Sequence, residues 1–336
     1  MSQVTMSSET YKSEINRMKK EHDITIVAHF YQRDEVYELG DITGDSLELG
    51  KRAMASTSQY IVFCGVGFMG QSVKLLSPQT RVFMPRIACC SMARMIDTSY
   101  YDNSIKAMNS RGIKSENILP VTYINSSAEV KAEVGKMGGL VCTSSNAKVI
   151  IEEALKAGKK IFFLPDRCLG QNIAIDMGLR SAVIGIDEKL EEADIICFDG
   201  FCSVHQLFTP KDIDFYRKKF PGIKIATHPE CDPSVCKKSD FVGSTSQIIK
   251  YVASLDPEQK VAVGTEFNLV NRLRPKNTYV LSATKPECPT MNETTLEELY
   301  NVMKSIEDET FINEIEVEDE VIKWGAIALQ RMMDLS

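Results

Sequence analysis

The chain has 336 residues, 43% of them hydrophobic, and a net charge of −7, which is ordinary globular composition with length enough for a large core and no need of disulfide staples. The acidic balance excludes the basic stripe of a nucleic-acid binder. No apolar run reaches the roughly 18 residues of a membrane span, and residues 1–23 lack a signal-peptide core, so neither nucleic acid nor membrane is expected as a partner and the chain is expected to be cytosolic.

In chain order, residues 8–22 read as an opening helix with Tyr11, Ile15 and Met18 on one side. Short apolar runs then alternate with helical stretches, at 24–28, 60–63, 160–164, 224–227, 260–263 and 278–281. Apolar strands without clean alternation are buried on both faces, as in parallel sheets, so the alternation argues for α/β architecture. In 247–255 the residues Ile248, Val252 and Leu255 share one helical face.

One pattern recurs three times. The first copy runs through IVAHFYQ (26–32), TGDSLELG (43–50), YIVFCGVGFMG (60–70) and RVFMPRIACC (81–90). The second runs through PVTYINSS (120–127), CTSSNAKV (142–149), KIFFLPDRCLGQN (160–172) and DIICFDGFC (194–202). The third runs through KIATHPEC (224–231), GSTSQIIK (243–250), KVAVGTEFN (260–268) and TYVLSATKPEC (278–288). Each copy has a strand ending in a polar triplet, a Ser-led helix start, a second strand, and a last strand that delivers a cysteine. Such a repeat predicts three α/β domains, at 1–106, 107–206 and 207–290. Residues 291–336 are expected to be helices packing on the first domain. There Thr294 and Glu297 read as a capping box, and a helix over 318–335 aligns Val321, Gly325, Ala328, Met332 and Leu335.

Ligands of open parallel sheets sit beyond the carboxyl ends of the strands. The triplets His29-Phe30-Tyr31, Tyr123-Ile124-Asn125 and His228-Pro229-Glu230 lie at such ends. Side chains alternate along a strand, so the first and third residue of each triplet face one side. Ser46, Ser144 and the Ser244-Thr245 pair fall at or near helix starts, where they serve either as N-caps or, with the free N–H groups, as anion sites. Cys90, Cys202 and Cys288 close the three repeats, and the repeat symmetry would gather them at one point. Three thiolates point to a metal, either zinc with a water or a cubane cluster with one iron open to substrate. Of the other cysteines, Cys64, Cys142 and Cys197 lie in apolar strands, Cys89 adjoins Cys90, and Cys231 and Cys236 sit in a polar loop where they would be reactive. Cys202 and His205 form a C-x₂-H pair, a weak metal signal on its own.

From His29 to Asn292 the chain resembles the quinolinate synthase family. AHFYQ (28–32), GDSL (44–47), CSMA (90–93), YINSSAEVKA (123–132), CTSSNA (142–147), GFCSVH (200–205), HPEC (228–231), GSTSQI (243–248), GTE (264–266) and CPTMNETTLEEL (288–299) carry the resemblance. It implies three homologous α/β domains about a pseudo-threefold axis. It also implies condensation of iminoaspartate with dihydroxyacetone phosphate to quinolinate, phosphate and water in NAD biosynthesis. The implied cofactor is a 4Fe–4S cluster on Cys90, Cys202 and Cys288, its open iron a Lewis acid for dehydration. Some members carry a C-x₂-C-x₂-C run at the last position; this chain has Cys288 alone. The resemblance places substrate on His29, Ser46, Tyr123, Ile124, Asn125, Ser144, His228, Pro229, Glu230 and Thr245. Glu230 is the expected general base, with His228 beside it and Tyr31 near the reacting carbons. Transient partners would be an aspartate-oxidising enzyme and iron–sulfur assembly proteins. Two other readings use the same three thiolates: a zinc-dependent hydrolase or aldolase, and a cluster-bearing sensor without catalysis.

Overall fold

Each of the three sequence repeats builds one parallel sheet. The structure is a computed structural model, and it describes residues 6–274 and 277–335. The first stretch comprises α1 (Ser8–Glu21), β1 (Ile24–His29), α2 (Asp34–Tyr37), β2 (Ile42–Gly44), α3 (Ser46–Met54), β3 (Tyr60–Cys64), α4 (Gly67–Leu76) and β4 (Arg81–Phe83). The second comprises α5 (Thr98–Ser110), β5 (Ile118–Tyr123), α6 (Ala128–Lys136), β6 (Leu140–Cys142), α7 (Ala147–Leu155), β7 (Lys160–Leu164), α8 (Arg167–Met177), β8 (Ser181–Val183) and β9 (Ile195–Cys197). The third comprises α9 (Pro210–Lys219), β10 (Lys224–Thr227), α10 (Pro233–Cys236), β11 (Phe241–Val242), α11 (Thr245–Ser254), β12 (Val261–Gly264), α12 (Phe267–Leu273) and β13 (Thr278–Val280). Helices α13 (Leu296–Glu307) and α14 (Asp319–Asp334) close the chain.

The sheets run β2-β1-β3-β4, β6-β5-β7-β9-β8 and β11-β10-β12-β13. Among the described residues every pairing within them is parallel. One strand order is thus repeated, with β8 an added edge in the second sheet. The order reverses between β1 and β3, β5 and β7, and β10 and β12, and the triplets leave the carboxyl ends of β1, β5 and β10 at these reversals. Helices cover both faces of each sheet, giving three-layer α/β/α domains. On the third sheet Ile225 and Ala262 pack with Ile213, while their neighbours Ala226, Val261 and Val263 pack with Ile248 and Val252. Burial on both faces is why these strands read as continuous apolar runs.

Residues Met1–Cys89 and Cys288–Glu318 form one compact unit, and Cys90–Glu287 with Asp319–Ser336 form a second. In the first, α13 packs on α1 and β3. In the second, α14 lies along α6 and β6, which corrects the expectation that both closing helices pack on the first domain. An amphipathic stripe fixes which face of a helix is buried, not which partner buries it. The capping reading also shifts by one residue. Thr295, not Thr294, caps α13 and accepts from the Glu298 N–H, whereas the Thr294 hydroxyl is buried without a hydrogen-bond partner among the described residues.

The α6–α14 packing depends on Gly135. A Cβ there would stand 2.1 Å from the Trp324 carbonyl oxygen, and backbone cannot step aside as a side-chain tip can. Gly135→Ala is expected to push α14 outward and cost about 1–3 kcal/mol. Thermal melts followed by the fluorescence of Trp324, the single tryptophan of the chain, would measure it.

Candidate active site

Each of Cys90, Cys202 and Cys288 opens the same local device. The carbonyls of Cys90, Cys202 and Cys288 accept from the N–H groups of Arg94, Gln206 and Asn292 at 3.1, 3.2 and 3.2 Å. A single 3₁₀ turn follows each, at Ala93–Met95, His205–Leu207 and Met291–Glu293. Ala93, His205 and Met291, three residues after each cysteine, are buried. Asp97, Thr209 and Thr295, seven residues after each cysteine, cap the next helix. The cysteines are therefore held by backbone bonds and a capped helix, and all three are half-buried. In the second unit the residues after Cys90 and Cys202 meet, with Ser91 Oγ 3.2 Å from Ser203 Oγ. Gly200 lets the Cys202 loop approach β7, because a Cβ would stand 2.4 Å from the Pro165 carbonyl oxygen.

The other cysteines are of a different kind. Cys64, Cys142, Cys168, Cys197, Cys231 and Cys236 are buried. Burial pushes each of their thiols up, that of Cys236 to about 12. Cys231 and Cys236 are thus not the reactive pair expected from their polar loop. Cys236 Sγ instead donates to the His228 carbonyl at 3.7 Å. Half-buried thiols on backbone-bonded turns have the chemistry a soft metal centre needs, whereas buried protonated thiols do not, so Cys90, Cys202 and Cys288 are, each by itself, the cysteines whose surroundings fit an iron–sulfur ligand.

The strand-end triplets follow in register. In the first unit the Tyr31 N–H donates to His29 Nδ1 at 3.1 Å, and the two rings meet edge-on with centroids 4.7 Å apart. In the second unit the Glu230 N–H donates to His228 Nδ1 at 3.3 Å. The short helices α2 and α10 begin five residues after these histidines, and the caps Asp45 and Ser244 stand sixteen residues after them. Because Asp45 and Ser244 do the capping, Ser46 and Thr245 are first helical residues with no capping duty. Ser144 is half-buried on the turn before Asn146, which stands at the N-cap position of α7 while its Oδ1 accepts from the Thr143 N–H.

Glu230 is the centre of the second unit. It is 4% exposed. Its Oε1 accepts from the Tyr123 hydroxyl at 2.5 Å, and its Oε2 accepts from His205 Nδ1 at 3.0 Å. His205 stacks on His228 with centroids 4.6 Å apart, and its Nε2 lies 3.1 Å from Thr265 Oγ1. Burial alone would raise the Glu230 carboxyl. The imidazoles of His205 and His228, with the hydrogen bonds from His205 and Tyr123, outweigh it and hold the group down to about 2. Asp166 is its opposite: burial and then the Glu230 charge push it well above the usual carboxylate range, and its Oδ2 has no hydrogen-bond partner among the described residues. Cys202 Sγ lies within 4.8 Å of ligand atoms of both His205 and Glu230. That trio has metal-binding chemistry, yet His205 and Glu230 already satisfy each other, Thr265 and Tyr123. Asn172 Nδ2 donates to the Pro229 and Cys231 carbonyls, each at 2.8 Å, and so fixes the turn that carries Glu230.

Tyr123, His228 and Glu230 of the expected set therefore meet directly. Ile124 and Pro229 serve as the buried and half-buried backbone of their turns. Asn125 Oδ1 is buried without a protein partner among the described residues, as a ligand-directed amide would be. Sequence reasoning left His205 as half of a weak C-x₂-H pair, although it is the closest imidazole to Glu230. Asp166, Thr265 and Asn172 were missed altogether. The sequence signal was position: Asp166 and Thr265 stand just past the carboxyl ends of β7 and β12, and Asn172 lies on the helix that follows β7.

A buried carboxylate hydrogen-bonded to an imidazole and a phenol, with a second imidazole beside it, at the carboxyl ends of parallel strands, is the arrangement of an α/β enzyme site. The family model described as Quinolinate synthetase A protein matches residues 13–334. The chain is 55% identical over 331 residues to the quinolinate synthase of Helicobacter pylori strain HPAG1, covering 97% of this chain and 98% of that protein. It is 39% identical over 334 residues to that of Acidobacterium capsulatum, covering 92% and 88%. The chain belongs to the quinolinate synthase family. No helix among the described residues is long and apolar enough to cross a membrane.

Proposed function

We propose that this chain condenses iminoaspartate with dihydroxyacetone phosphate to give quinolinate, phosphate and two waters, as a step of NAD biosynthesis in the cytoplasm. The observation that carries the reading is Glu230, buried and hydrogen-bonded to Tyr123 and His205 with His228 beside it. Cys90, Cys202 and Cys288 would hold a 4Fe–4S cluster whose open iron supplies Lewis-acid assistance to the loss of water. The protein's own groups do the rest. Ser46, Ser144 and Thr245 with their helix starts, together with His29, Asn125 and His228, bind the carboxylates and phosphate. A carboxylate held near 2 is a weak base by itself, so Glu230 and its imidazole neighbours act as one proton-handling unit. Tyr123 donates to that unit, and Tyr31 moves a proton of the triose. An aspartate-oxidising enzyme would supply the imine, and iron–sulfur assembly proteins would load the cluster.

The test is purification without oxygen. The expected result is brown protein that bleaches in air and forms quinolinate from the two substrates. Colourless protein containing zinc would support a zinc hydrolase or aldolase instead. Brown protein that makes no quinolinate would leave a sensor as the better reading.

A further inference from the structure

Lys131 lies on the first turns of α6 and is fully buried, at 0% exposure. Its backbone N–H donates to the Ser127 carbonyl at 3.1 Å, which is ordinary helix. Its side chain does something else. Nζ turns back and donates to the Ile124 carbonyl at 2.8 Å and to the Ser126 carbonyl. These two carbonyls stand on either side of Asn125. The same turn is braced again by the Ile124 N–H on the Cys142 carbonyl and by Thr122 Oγ1 on Ser126 Oγ. Its two functional side chains are Tyr123, which donates to Glu230, and Asn125, whose Oδ1 is buried without a protein partner among the described residues. An apolar residue could fill the space of the Lys131 stem, but it would leave the two carbonyls without the Nζ donor. A buried lysine is costly, so its placement here points to work on the turn.

We propose that Lys131 is a positioning residue for the dicarboxylate substrate. It fixes the backbone on both sides of Asn125, and so sets the direction of the Asn125 amide. The inference rests on the quinolinate-forming reading of the site, and it concerns how that site is held rather than which groups touch substrate.

A double-mutant cycle in the anaerobically purified holoenzyme tests it. Lys131→Met and Asn125→Ala are made singly and together, and kcat and KM are measured with iminoaspartate generated in solution. Asn125→Ala is expected to raise the KM for iminoaspartate about 30-fold and Lys131→Met about 10-fold, with the double variant near 30-fold because both act through one amide. If Lys131→Met does not accumulate as folded protein, Lys131→Gln carries the same cycle. A purely structural role would lower the melting temperature read from Trp324 and leave KM unchanged. That result, or a double variant near the 300-fold product of the single effects, would overturn the proposal. Wild-type holoenzyme that forms no quinolinate would instead remove the functional reading on which it rests.

Discussion

Glu230→Gln is expected to keep its cluster absorbance and lose about 10³-fold in kcat, within the range for removing an acid–base group. The physical case starts from the two partners of the carboxylate. Both Tyr123 and His205 donate to it, and a carboxylate accepts through both oxygens. An amide accepts through one, so in the variant either the Tyr123 hydroxyl or His205 Nδ1–H faces an NH₂ group. The stability cost should be about 1–3 kcal/mol. Its pH dependence has a definite sign. The folded carboxyl is held down to about 2 against the model-compound 4.5, so the stabilisation is complete above the unfolded value and lost as pH falls through about 2. The stability gap between wild type and variant should therefore narrow between about pH 5 and pH 2, measured by urea unfolding. A variant with kcat within threefold of wild type would remove Glu230 from the mechanism.

Serine at Cys90, Cys202 or Cys288 is expected to abolish both the brown absorbance and quinolinate formation, taking iron from about four atoms per chain to near none. Serine at Cys64 or Cys236 is expected to leave both unchanged. The contrast follows from surroundings rather than from residue type. Cys64 is wholly buried in β3 and burial pushes its thiol up. Cys236 is likewise pushed up, to about 12, and donates to backbone carbonyls. Retained iron in any of the first three variants would contradict the ligand assignment. Iron lost from Cys64→Ser with its fold intact would do the same from the other side.

Much of the fold could be read in the sequence because it is stated three times. The triplets at 29–31, 123–125 and 228–230 each end a strand or follow its last residue, and the closing cysteines each begin a turn of the same length. What escaped was partnership. Thr294 and Thr295 each stand three residues before a glutamate, so the motif fits both, and only the backbone path shows that Thr295 is the cap. The stripe on α14 was legible, but its seat on α6 depends on Gly135 and the Trp324 backbone, which no periodicity encodes. Cys231 and Cys236 sit in a polar stretch of sequence whose chain folds back under β12, so composition misjudged their exposure. His205 was visible as a histidine near a cysteine, yet its partner Glu230 lies 25 residues away, and only the packing of the second and third sheets joins them.

The cysteine turns bear on how the protein would acquire its inorganic centre. Each turn closes through its own backbone bond and leads into a helix capped by its own side chain, so each cysteine is held by the polypeptide without help from iron. Small zinc domains behave otherwise, because their ion supplies the folding energy and its removal leaves a random coil. Here the apoprotein would be a receptive scaffold, and damage by air would strip a guest from a standing house.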